Sequence, residues 1–150
     1  MEQLPITENV PIKISQMTAK VIYQGDLRCV CTHVQSGTAI ETDAPTDNRG
    51  KGERFSPTDT VCVAFATCII TTMGIRAQDM GIELKGTEIE VTKHMLSEPR
   101  RIGKIEVTLH IPALQLSEHD KMVMEKIGRN CPVQKSLHPD LETVIHFHWA

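Results

Sequence analysis

The chain has 150 residues, and its 16 Lys and Arg against 19 Asp and Glu leave a net charge of −3. That length is one domain's worth, able to bury about 70% of the unfolded surface without a stapled core. The acidic balance argues against a general nucleic-acid binder, which would carry a basic excess or patch.

Aromatic residues are only 3% of the chain, so the core has to come from Val, Ile, Leu, Ala, Met and Cys. The N-terminus has no basic segment followed by an apolar stretch, so it does not read as a secretory signal. Residues 1–11, with two prolines, read as a loose arm of a single domain covering 1–150. A strand is expected from Ile12 to Tyr23, with Met17, Ala19, Val21 and Tyr23 on one face, followed by a turn at Gly25-Asp26. Further strands are expected over Arg28–Val34 and Thr38–Thr42. Polar residues and two glycines make Ala44–Gly52 a loop.

The clearest local signal is Ser56-Pro57-Thr58-Asp59. Ser56 can accept from a first-turn amide, and Pro57 loses nothing at the first helical position. Asp59 completes an acidic capping box. A helix is predicted from there to about Met80, with Gly81 as its left-handed stop. Its centre, Val61 to Met73, is apolar nearly all round, as in a buried helix. The apolar window Val61–Ile75 carries threonines and is short for a bilayer, so no membrane span is expected.

Strands are predicted over Thr87–Lys93 and Lys104–Ile111, joined as a hairpin through Ser97–Arg101. Ile105, Val107, Leu109 and Ile111 alternate with polar residues, the pattern of a half-exposed strand. Ser117 caps a helix ending near Gly128. Cys131-Pro132 opens a short helix to about Leu137, and a last strand covers Glu142–Trp149. The order βββ-α-ββ-α-α-β defines an α+β class.

The five cysteines, an odd count with no signal segment, fit a reducing cytoplasmic setting better than a disulfide framework. Cys131, at a helix N-terminus, is placed where partial positive charge favours a thiolate. Cys68, mid-helix, has no such help and needs a nearby cation. Either cysteine is also compatible with inert packing. Cys29, Cys31 and His33 share one strand face, but one strand supplies only part of a metal-ligand set. Cys62 reads as core packing, and His146 and His148 as a polar outer face.

Phe55-Ser56-Pro57-Thr58-Asp59, Cys68 followed by Ile69-Ile70-Thr71-Thr72-Met73, and Cys131-Pro132-Val133 together resemble the OsmC/Ohr family of osmotically induced proteins and organic hydroperoxide reductases. The resemblance runs from about residue 15 to the C-terminus. It implies antiparallel sheets with a long buried central helix in an intertwined homodimer. It implies an antioxidant, stress-response peroxidase acting on organic hydroperoxides, with no bound cofactor or metal and an external dithiol or lipoyl-type reductant. Cys68 resembles the peroxidatic cysteine and Cys131 the resolving one, the two closing a disulfide. An arginine held by a glutamate stabilises the family's thiolate. Arg49 matches one branch and Arg28 the other. The chain departs from the pattern at Thr58, where the family carries Glu; Glu53 or Asp59 is left to substitute. The departure admits two alternatives: a non-enzymatic protein binding a small apolar ligand between subunits, or a redox sensor.

Overall fold

The computed structural model describes residues 16–150, so the expected arm at 1–11 and the start of the first predicted strand lie outside the described residues. The chain forms two compact units, one reaching Arg54 and the other spanning Phe55–Ala150.

The first unit is an antiparallel sheet of β1 (Ala19–Gly25), β2 (Arg28–His33) and β3 (Ala39–Asp43), in that order. Its first turn falls at Asp26 and Leu27, both with positive φ, one residue beyond the expected position. Register sets Val21 opposite Cys31, Tyr23 opposite Cys29, and Arg28 opposite Asp43. Alternation along β1 sends Val21 and Tyr23 to one face and Ile22 to the other, yet all three are about 60% exposed. After β3 the loop doubles back: the Gly50 amide donates to the Pro45 carbonyl and the Gly52 amide to the Ala44 carbonyl. A Cβ on Gly50 would stand 1.6 Å from the Ala44 oxygen, so only glycine permits this approach.

The second unit is built on α1 (Pro57–Asp79). The Ser56 hydroxyl accepts from the Asp59 amide at 3.1 Å, and Asp59 accepts from the Ser56 amide at 2.8 Å. The expected capping box is thus complete, and Gly81 follows the helix with φ 68°. At 23 residues α1 is long and apolar enough to cross a membrane by length and composition alone. Here Cys62, Phe65, Ala66, Ile69, Met73 and Ala77 are buried along it. The helix is less enclosed than its composition suggests, because Val61, Val63 and Ile75 remain exposed.

The second sheet contains β4 (Glu88–Ser97), β5 (Arg100–Ile111) and β6 (Glu142–Trp149), with β5 central. β4 and β5 form an antiparallel hairpin longer than expected, with only Glu98-Pro99 between the strands. β6 runs parallel to β5, setting Val107 opposite Ile145 and Leu109 opposite Phe147. Parallel neighbours need a crossover, supplied by α2 (Glu118–Arg129) and α3 (Pro132–Ser136). Ile105, Val107, Leu109 and Ile111 are buried as the alternation predicts. Gly128 lets α2 lie close to α1: a Cβ there would meet the Met73 sulfur at 2.9 Å.

Candidate active site

The two cysteines singled out by the sequence both lie in the second unit. Cys68 is half-buried on α1 and Cys131 is fully buried at the N-cap of α3. The two thiols are near enough to act on each other electrostatically, and both are free. Cys68 Sγ also stands 3.9 Å from Thr72 Oγ1. The expectation of a thiolate favoured at Cys131 is corrected. Burial pushes this thiol up, the backbone amides of Gln134 and Val133 pull the other way, and the Cys68 thiol adds to the rise. A five-residue helix offers too little dipole to offset loss of water. Burial likewise pushes up Cys62, which Lys93 only partly offsets.

Lys93 organises the start of α1. Its ammonium donates to Asp59 Oδ1 at 2.6 Å, Thr58 Oγ1 at 2.9 Å and Ser56 Oγ at 3.3 Å. Three donors meet three acceptors, so the half-buried charge is satisfied. Burial alone would push the Asp59 carboxyl up, but bonds from Lys93 and Ser56 hold it below its ordinary value. Thr58 therefore serves a lysine, and Asp59 serves the helix cap and the same lysine. Phe55, Asp59, Cys62, Val63, Ile89, Val91 and Lys93 line a cavity of about 390 Å³ there. Lys93 went unremarked in the sequence, although it shares the parity of Ile89 and Val91 and so falls on the same strand face.

In the first unit Arg28 is gripped by two acids. Its Nε donates to Asp43 Oδ1 at 2.7 Å and its Nη2 to Asp43 Oδ2 at 2.8 Å. Nη2 also donates to Glu53 Oε2 at 2.9 Å. The Glu53 backbone amide donates to Asp43 Oδ2 at 3.2 Å. The Arg28 guanidinium holds the Asp43 carboxyl below its ordinary range, and Asp43 in turn raises the arginine, with Glu53 adding to the rise. Asp43 is only 3% exposed and was missed in the sequence. The available signal was register: once β2 and β3 are paired, an arginine and an aspartate face each other at the end of the ladder. Arg49, the other candidate, sits in the left-handed region after a short 3₁₀ turn over Thr46–Asn48, with no acid partner among the described residues. The structure thus joins Arg28 to Glu53 and brings Cys68 near Cys131.

His33 Nδ1 is 2.7 Å from Ser36 Oγ, a local turn contact on the strand that carries Cys29 and Cys31. Among the described residues no three His, Cys, Asp or Glu side chains are grouped to hold a metal ion. His146 and His148 lie on the outer side of β6. His146 faces Glu106, and His148 stacks on His110 with ring centroids 5.4 Å apart.

The OsmC-like protein family model matches residues 50–145, and the chain belongs to that family. A solved structure from Psychrobacter arcticus 273-4, described as a candidate osmotic stress induced and detoxification response protein, is 42% identical. The match covers 89% of this chain and 97% of that one, with a TM-score of 0.85. The fold is shared with an organic hydroperoxide resistance protein, OsmC, of Legionella pneumophila at 15% identity, covering 90% and 98% of the chains with a TM-score of 0.66. It is also shared with an organic hydroperoxide resistance protein of Elizabethkingia anophelis at 11% identity, covering 91% and 99% with a TM-score of 0.68. A search of curated proteins returned no match.

Proposed function

We propose that this chain is a thiol peroxidase that reduces organic hydroperoxides to alcohols, working in the reducing cytoplasm. The placing of the Cys68 and Cys131 thiols near enough to act on each other carries the reading. The Cys68 thiolate attacks the terminal peroxide oxygen and the O–O bond breaks. The alkoxide leaves and takes a proton to become the alcohol, while Cys68 becomes a sulfenic acid. Condensation with the Cys131 thiol forms the S–S bond and releases water. An external dithiol, of lipoyl type, then restores both thiols by exchange and is itself oxidised to a disulfide. Arg28, with Arg49 as second candidate, supplies the positive charge that favours the Cys68 thiolate.

The chain works as a homodimer. Support comes from the exposed apolar side chains of β1 and of α1, a surface a single copy leaves wet. Sedimentation at micromolar concentration measures this, and a monomer would sink it.

Steady-state peroxide consumption with a dithiol tests the chemistry. Cys68→Ser abolishes it, and Cys131→Ser leaves Cys68 to accumulate as sulfenic and then sulfinic acid. A wild-type protein inert toward alkyl and fatty-acid hydroperoxides overturns the reading. Thr58, bonded to Lys93, favours a second one: a small apolar ligand retained without turnover, visible by native mass spectrometry of the purified protein.

A further inference from the structure

A larger cavity, of about 550 Å³, opens within the second unit between the first turn of α1, the start of β5 and the turn that follows α3. Small-molecule sites usually enclose about 300–1,000 Å³. Thr58, Arg101, Ile102, His138, Asp140 and Leu141 line it, and the wall is mainly apolar. Ile102 and Leu141 are partly buried and pack against the core of the unit, so that wall has a fixed backing. The β4–β5 register shifts at Gly103, which has no partner on β4. Such a bulge re-aims the residues beyond it, here Ile102 and Arg101.

Two donors stand against this apolar wall. Arg101 is half-buried, its Nη1 reaches the Ile102 carbonyl only at 3.4 Å, and no acid among the described residues pairs with it. A guanidinium removed from part of its water calls for an acceptor that carries charge. His138 Nδ1 accepts the Asp140 amide at 3.0 Å, which puts the ring proton on Nε2 and makes that edge a donor. The Leu141 amide closes the turn onto the His138 carbonyl at 3.0 Å. The Thr58 hydroxyl is already taken by Lys93. Asp140 is the one acid among the lining residues, and its side chain is 75% exposed, so water and salt screen it.

We propose that this cavity binds a small carboxylate with a hydrocarbon body, its head on Arg101 and His138 and its chain along Ile102 and Leu141. A carboxylate matches the planar guanidinium fork with two parallel bonds. The chain gains by leaving water for the apolar wall. A cationic ligand would face Arg101, and a neutral one would leave that charge without an acceptor. The proposal stands apart from the peroxidase reading, because no cysteine lines the cavity.

Titration calorimetry of the reduced full chain with octanoate, octanol and acetate tests it, and the methyl chemical shifts of Ile102 and Leu141 report where the ligand sits. Octanoate should bind with a Kd below about 1 mM and move both sets of methyl signals. Octanol, which lacks the charge, and acetate, which lacks the chain, should each bind about 10-fold more weakly or worse. Arg101→Gln should weaken octanoate by about 10-fold or more, the usual effect of losing a charge-assisted bond, and His138→Gln by less. Octanol binding as tightly as octanoate would overturn the proposal. So would octanoate binding that is absent, that Arg101→Gln leaves unchanged, or that bypasses the Ile102 and Leu141 signals. The contrast of octanoate with octanol is read on the unaltered chain, so it decides the matter should Arg101→Gln fail to fold by circular dichroism.

Discussion

The buried thiol of Cys131 lies near enough to Cys68 to feel it, and burial weakens its acidity. On the proposed mechanism burial slows resolution, because it disfavours the thiolate of the attacking sulfur. The lifetime of the Cys68 sulfenic acid, followed by dimedone trapping after one equivalent of peroxide, should shorten as pH rises toward and past the ordinary thiol range. A lifetime independent of pH between 7 and about 9.5 would count against thiolate attack by Cys131.

Oxidation should also stabilise the chain. A Cys68–Cys131 disulfide would enclose β4, β5 and α2 in one loop. In the chain-entropy view a loop of that length contributes about 4 kcal/mol against unfolding. Urea denaturation of the oxidised and reduced protein measures the difference. Equal midpoints would mean that no such bond forms or that it strains the fold.

The contact of Gly128 with Met73 leaves no room for a methyl group. Gly128→Ala gains helix propensity worth about 1 kcal/mol, but overpacking costs about 1–3 kcal/mol. A net loss of stability is expected, lowering Tm by several degrees. Adding Met73→Ala to Gly128→Ala should recover part of the overpacking cost relative to the sum of the two single changes. Additive effects would show that the two sites do not press on each other.

Acid should destabilise the protein through a short list of carboxylates. Asp43, Asp59 and Glu106 are all held below their ordinary values. Unfolded, such groups titrate near pH 4. Their stabilisation is complete above that value and fades as pH falls through the lower folded values. Tm should stay level from neutrality to about pH 5 and then drop. Lys93→Met removes the main bond holding Asp59 down, so it should lower Tm at neutral pH and flatten the acid limb. An unchanged acid limb would show that the Lys93 pair is inert.

Much of this architecture was written in local signals. The box at Ser56 and Asp59, the glycine after α1 and the alternation on β5 each depend on a few neighbouring residues, and each is seen as expected. The pairing of Cys68 with Cys131 was an expectation from the family resemblance of their surroundings, and the two thiols are near enough to act on each other. What escaped was non-local. Asp43 becomes informative only when register sets it opposite Arg28, and Lys93 only when β4 packs against the start of α1. The acidity of Cys131 was misjudged because position along a helix is visible in sequence, whereas depth is not.

Because β6 enters beside β5 in the same direction, the chain must leave the sheet, travel its length and return before the last strand can dock. Cys131 rides on that detour. Its meeting with Cys68 therefore waits on a late, long-range event, and a half-made chain emerging from the ribosome carries Cys68 without its resolver. On the proposed mechanism such a nascent species, meeting peroxide, would depend on an outside thiol to rescue its sulfenic acid before further oxidation, so the order of synthesis itself sets a window of chemical vulnerability.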